Sequence, residues 1–315
     1  MRLKPIFALM SLALAIPRVL VYTRTLGYRH DSIPTAIATL SSNGPTHSIE
    51  FEFTEDPTQF ADENLSRFDG IMFVSTSEEV LNGPQQDAMA RYLRSGGVYV
   101  GVHSASACLY NDTVYLQAVG AYFDYHPSLQ PATFIRLTSH PATSPLPDRW
   151  TFTEEVYYWR QDPRNQSATI LLTVEEGSYI NDAASTGNYT FGSPHPIAWF
   201  IENPQYGGKV GRSFYTSLGH TNETWNDGIF IAHVFGGLKW ALDGATTRAY
   251  GAGVVGNNDT VANVSGSVSG TSAAASTSAS PVSPSGPASQ PSSGAQGLSV
   301  ASAAIAAAAG LLTIL

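Results

Sequence analysis

Four short segments gather side chains able to bind or transform a ligand. In Gly101-Val102-His103-Ser104-Ala105 an apolar run breaks at an imidazole. A residue on a tight turn after a buried strand is exposed and poised, as at a nucleophile elbow. Histidine there can act as acid, base or metal ligand near neutral pH; the plainer alternative is an imidazole bonded to backbone that only shapes the turn. Gly27-Tyr28-Arg29-His30-Asp31-Ser32 presents a guanidinium, an imidazole and a carboxylate where a helix begins. Helix N-termini attract anionic or hydroxyl-rich ligands, although Asp31 could be simply an N-cap and His30 a solvated loop residue.

Glu154-Glu155-Val156-Tyr157-Tyr158-Trp159 joins adjacent carboxylates to rings, a combination that sugar sites use for acid–base work and stacking. Neighbours in a strand face opposite sides, so at most one of Glu154 and Glu155 faces a given site. The alternative is a solvated edge strand with core aromatics. A fourth segment, Gly211 to His220, reads as a late strand ending in Gly219-His220. His126-Pro127 and His140-Pro141 are weaker signals, each explicable as a turn. Neutral histidines plus a carboxylate could hold Zn²⁺, but they come from distant segments without a diagnostic short spacing, and no residue is assigned to a metal.

The elements that must position these groups alternate. Residues 18–23 form a short apolar strand, and a helix follows with Asp31 or Ser32 as its cap and Pro34 in its first turn. Residues 48–53 alternate as a strand does, and 70–74 is a continuous apolar run suited to a buried parallel strand. Asn82 caps a second helix with Pro84 in its first turn, Gly96-Gly97 ends it, and 98–102 is another buried strand. This order implies right-handed crossovers and a parallel sheet covered on both faces. After about residue 132 the pattern is strand-rich, at 133–137, 170–174, 197–202 and 212–217, with a last helix over 227–242.

Composition narrows the function. Of 315 residues, 43% are hydrophobic and 13% charged, with a net charge of −9. That balance gives no basic footprint for nucleic acid or anionic lipid. Cys108 is the one cysteine, so stability must come from packing without an intrachain disulfide. Residues 1–15 read as a signal peptide, with Arg2 and Lys4 before an apolar stretch and Ala13-Leu14-Ala15 as cleavage pattern. Asn64, Asn111, Asn165, Asn188, Asn222, Asn258 and Asn263 each open a glycosylation triplet. Residues 245–296, rich in Ser, Ala, Gly and Pro, read as a disordered stalk. Residues 297–315, apolar to the end with no basic stop, read as a GPI-attachment signal. The expected location is the extracellular face of the plasma membrane or the cell wall.

Five pieces of residues 19–242 carry a resemblance when taken in order. They are Gly27-Tyr28-Arg29-His30-Asp31, the run from Gly96 to Ala105, Gly120-Ala121-Tyr122-Phe123-Asp124-Tyr125-His126-Pro127, Glu154-Glu155-Val156-Tyr157, and Tyr215-Thr216-Ser217-Leu218-Gly219-His220. Together they resemble the ThuA-like, trehalose-utilisation family. The resemblance implies an α/β domain over 18–243: a three-layer α/β/α sandwich with a mostly parallel sheet, class I glutamine amidotransferase-like or flavodoxin-like. It also implies a carbohydrate partner, and hydrolysis or rearrangement of a trehalose-related disaccharide or glycoside, with a divalent metal such as Zn an open question. The alternative is a non-catalytic sugar-binding or cell-wall protein. Under this resemblance His103, Glu155 and His30 are the catalytic candidates, and Arg29, Asp31, Tyr157, His126 and His220 the substrate-binding ones. The amidotransferase fold normally carries Cys at the elbow. His103 stands there, and Cys108, five residues on, should not inherit the role, so thiol-dependent glutamine hydrolysis is not expected.

Overall fold

The computed structural model describes residues 16–208 and 211–245. The first half alternates as the sequence implies: β1 (Arg18–Tyr22), α1 (Ile33–Asn43), β2 (Glu50–Thr54), the short α2 (Asp62–Leu65), β3 (Gly70–Val74), α3 (Gly83–Arg94), β4 (Val98–Val102) and α4 (Thr113–Val119). Then come β5 (Phe123–Tyr125), β6 (Gln130–Arg136), β7 (Arg149–Glu154), β8 (Tyr158–Trp159), β9 (Thr169–Val174), β10 (Pro196–Ile201) and β11 (Ser213–Thr216). Two helices close the domain, α5 (Asn222–Asn226) and α6 (Gly228–Asp243).

Nine strands form one sheet in the order β2-β1-β3-β4-β11-β10-β9-β6-β7, and β5 pairs separately with β8. The run from β2 to β11 is parallel, and the remaining pairings are antiparallel. Apolar side chains alternate between the two faces. Leu20, Tyr22, Ile71 and Phe73 pack with α3 and α4, whereas Val19, Val21, Met72 and Val74 pack with α1 and α6. Burial on both faces is why β3 and β4 are apolar at every position, and the result is a three-layer α/β/α domain.

Local chemistry sets the helix starts. At α3 the Asn82 side chain accepts from Gln85 N (3.2 Å) while the Gln85 side chain accepts from Asn82 N (2.9 Å), a reciprocal cap contributing about 1 kcal/mol. The cap expected for α1 is not made. Ser32 holds that position without a side-chain cap bond, because its hydroxyl donates instead to Gly219 O (3.4 Å). The sequence pattern gives no signal for α4. Among the described residues no helix is long and apolar enough to cross a membrane. Ala245, expected to begin the stalk, is buried in the core; the leader at 1–15 and the stalk and anchor signal beyond that residue lie outside the described residues.

Candidate functional site

The site lies beyond the carboxyl ends of the parallel strands, where open α/β sheets bind ligands. His103 follows β4 directly and takes φ 56°, opening a 3-10 turn over His103–Ser106. A side-chain-bearing residue held there costs about 1 kcal/mol or more, so the neighbourhood must hold it. Tyr215 donates its hydroxyl to His103 O (2.6 Å), and the ring Nδ1–H donates to Ser217 O (2.7 Å). The second bond fixes the tautomer and leaves the Nε2 lone pair facing His30, His220 and Glu155.

His30 arrives from the loop after β1 and is buried. His220 arrives from the turn after β11, where Gly219 takes φ 123°, a conformation L residues rarely adopt. Glu154 anchors that turn: its carboxylate accepts Gly219 N (2.9 Å), His220 N (3.2 Å) and the Thr224 hydroxyl (3.1 Å). Glu154 therefore stands behind the site while Glu155 points into it, so one of the two carboxylates faces the cavity. β7 is an edge strand, as the plainer reading had it, but the solvated part of that reading fails, since Glu154 is 0% and Glu155 5% exposed.

Four donor atoms converge. His30, His103, Glu155 and His220 each offer an atom within 4.8 Å of the others. His103 Nε2 lies 3.0 Å from His30 Nε2, 3.2 Å from His220 Nδ1 and 3.5 Å from Glu155 Oε2. Glu155 Oε2 lies 3.1 Å from His220 Nδ1, and the Tyr157 hydroxyl reaches His103 Nε2 at 2.9 Å. One nitrogen lone pair accepts one good hydrogen bond, so these four approaches to His103 Nε2 cannot all be hydrogen bonds. A tetrahedral Zn²⁺, with donors about 2.0–2.1 Å away, spaces them roughly 3.3–3.4 Å apart. The four ligand spacings just given lie near that edge length, and all the donor atoms lie within 4.8 Å of one another.

Electrostatics favour the neutral imidazole at His103 and His30. Burial, reinforced by neighbouring imidazoles, holds His103 well below the usual histidine range and His30 down to about 3. Burial also opposes the charged form of His220, but its bond to Glu155 and the charges of Glu155, Glu154 and Asp31 outweigh this and raise it. Burial pushes Glu154 up to about 7 against its backbone hydrogen bonds.

The cluster opens into a cavity of about 370 Å³ lined also by Tyr28, Tyr110, Phe123 and Tyr157. Six of the eight residues singled out from the sequence meet here: His30, His103, Glu155, His220, Tyr157 and His126, whose Nε2 lies 3.3 Å from Glu155 Oε1. Five of these line the cavity, His103 lies fully buried behind them in the donor cluster, and the remaining two of the eight belong to neither. The Arg29 guanidinium turns to Glu55 (2.7 Å), the carboxylate that attracts it more strongly than open space does. Asp31 is exposed beside α1 and reaches the site only through its charge on His220. His140 is a turn residue, its Nδ1 accepting from Ala142 N (3.1 Å). Cys108 is buried among Thr76, Ala105 and Tyr115 with its thiol pushed up to about 12 by burial, which removes it as a nucleophile. Sequence reasoning missed Ser77 and Glu78, which line the cavity, although they follow β3 and the strand-end rule that found His103 points there too. It also missed His195, which bridges Tyr157 O (2.9 Å) and Glu176 Oε1 (2.8 Å) across a sequence separation that carries no local signal.

Comparison with known proteins agrees with the fold. The family model described as ThuA, trehalose utilisation, matches residues 18–241. The crystal structure of a ThuA-like protein from Bacteroides uniformis is similar over 75% of this chain and 95% of its own, at 19% identity and a TM-score of 0.59. One from Parabacteroides merdae is similar over 76% and 100%, at 15% identity and a TM-score of 0.55. At such identities the likeness speaks for the fold. No curated protein gives a match.

Proposed function

The chain belongs to the ThuA, trehalose-utilisation family, and from that premise we propose that it processes a trehalose-related disaccharide or glycoside at a divalent metal site formed by His30, His103, His220 and Glu155. The observation that carries this reading is the crowding of His103 Nε2 by three further donor atoms of that set and by the Tyr157 hydroxyl. A bound Zn²⁺ would supply a Lewis acid for a sugar oxygen or a water. The protein's own groups do the rest. The His103 tautomer, fixed by Ser217 O, aims its lone pair; Glu154 holds the turn that aims His220. Tyr157 and Phe123 offer ring faces on which a sugar can stack. His126, beside Glu155 Oε1 and partly exposed, stands where a proton can be handed to a departing oxygen.

The test is metal content and turnover on one preparation of the domain. Zn²⁺ titration should saturate at one ion per chain, and turnover of trehalose or its oxidised derivatives should stop on chelation. A chain that binds no divalent ion sinks the metal site, and sugar binding without turnover selects the non-catalytic role. We also propose that the protein works at the cell surface, exported by its leader and held by a GPI anchor. Asn111, Asn165 and Asn188 are exposed and open to glycosylation. Surface protein that retains a C-terminal peptide ending at Leu315 would overturn the anchor.

A further inference from the structure

Glu78 lines the same cavity and takes no part in the donor cluster. It sits at φ 67°, in the left-handed region that a residue with a long side chain adopts only when its surroundings over-determine it. They do: Glu78 N donates to Ala107 O (2.9 Å), and Glu78 O accepts from Leu109 N (3.3 Å) and Val80 N (2.9 Å). Its bridge to Cys108 ties the loop after β3 to the loop after β4. The side chain lies over Gly27, where a Cβ would stand 2.7 Å from Glu78 Cγ and 3.3 Å from its Oε1. The missing side chain at 27 thus keeps a lane open. Glu78 is exposed and, among the described residues, its carboxylate has no hydrogen-bond or ion-pair partner, so a strained, clamped backbone holds water-facing acceptor atoms beside the cavity.

No Lys or Arg lines this cavity, and its other carboxylate is Glu155. The Glu78 side of the cavity therefore presents a carboxylate to a ligand and no positive group. Carboxylates accept hydrogen bonds from hydroxyl groups and repel phosphate and carboxylate. We infer that Glu78 is a specificity-determining residue that accepts the hydroxyls of an uncharged sugar ring and turns away phosphorylated or acidic sugars. This rests on the carbohydrate reading above.

Calorimetric titration of the Zn²⁺-loaded domain with trehalose and with trehalose 6-phosphate tests it, using wild type, Glu78→Gln and Gly27→Ala. Wild type should bind the neutral sugar at least about tenfold more tightly than its phosphate ester. Glu78→Gln keeps the shape but loses the charge-assisted bonds, so affinity for the neutral sugar should fall about tenfold and the gap between the ligands should narrow. Gly27→Ala keeps the carboxylate's charge but pushes its side chain aside, and should weaken the neutral sugar in the same direction. Equal affinities in wild type and both variants would overturn the role of Glu78 and leave the carbohydrate reading standing, as would tighter binding of the ester by wild type. A wild-type domain that binds Zn²⁺ but neither sugar would overturn the carbohydrate reading, and this inference with it.

Discussion

The domain contains two groups of buried histidines, and they behave differently. His140 and His233 lie between the loop after β6 and α6. There His233 Nδ1–H donates to Ala142 O (2.8 Å), His140 Nδ1 accepts from Ala142 N (3.1 Å), and the His140 ring stacks on Phe200. His30, His103 and His220 are likewise drawn out of water, but their free nitrogens point at one another. Burial and a depressed affinity for protons are common to His140, His233, His30 and His103. What separates the groups is convergence of lone pairs, which costs stability unless a ligand satisfies it. A perturbed histidine alone is therefore a poor sign of function, and a set aimed at one point is a good one.

The sharpest test pairs His103→Asn with His233→Asn. Asparagine is one of the few residues that adopts φ near +56° readily, so His103→Asn should keep its melting temperature within a few degrees of wild type. It should nevertheless bind Zn²⁺ at least about a hundredfold more weakly and lose turnover. His233→Asn should show the reverse, with stability down by about 2 kcal/mol and metal binding intact. If both variants lose metal, or if the His103 variant is the unstable one, the distinction collapses.

Acid unfolding sharpens the same contrast. Burial lowers both His140 and His233 to about 4, with each other's charge and that of Arg212 adding to it at His140. The unfolded chain therefore takes up protons first. Stability from this pair is complete above about pH 6.5, falls as pH drops below that value, and levels off near pH 4. In metal-free protein His30 and His103 act in the same direction, so the comparison needs His140→Asn/His233→Gln. Denaturant midpoints between pH 7 and 4 should fall less steeply in that variant, by about 2 kcal/mol over the window. Parallel profiles would mean that neither imidazole is held neutral by the fold.

The smallest expected effect is at Tyr215, whose hydroxyl bonds His103 O and meets the Ser106 hydroxyl at 2.8 Å. Tyr215→Phe should cost about 1 kcal/mol of stability. If the bond positions the elbow, kcat should fall severalfold with KM nearly unchanged, whereas a merely structural bond would leave kcat alone.

Much of this was legible in the chain. Unbroken apolar runs at β3 and β4 suit buried strands, Asn82 before Pro84 marks the start of α3, and His103 breaks the β4 run where a ligand-facing residue belongs. Local pattern also limited Glu154 and Glu155 to one cavity-facing carboxylate, although not which one. That choice is made by Gly219 and His220, more than sixty residues away, whose amides capture Glu154. Arg29 looked like a ligand group because its partner Glu55 lies across the sheet edge, beyond any local window. Glu78 gave no signal because its conformation is imposed by the 107–109 segment and contradicts its own backbone preference.

The donor set also bears on how this chain stays folded. Its members come from the loops after β1, β4, β7 and β11, with His30 and His103 73 residues apart and His103 and His220 117 apart. The chain has a single cysteine and so cannot staple itself with a disulfide, the usual device of exported proteins. A cation gripping these four residues would be a reversible cross-link closing three long loops and joining both halves of the sheet at one knot. Such a link restricts the unfolded chain most when the loops are long, and its strength follows the free ion concentration. Durability would then be set by the supply of metal as much as by the packing of the core.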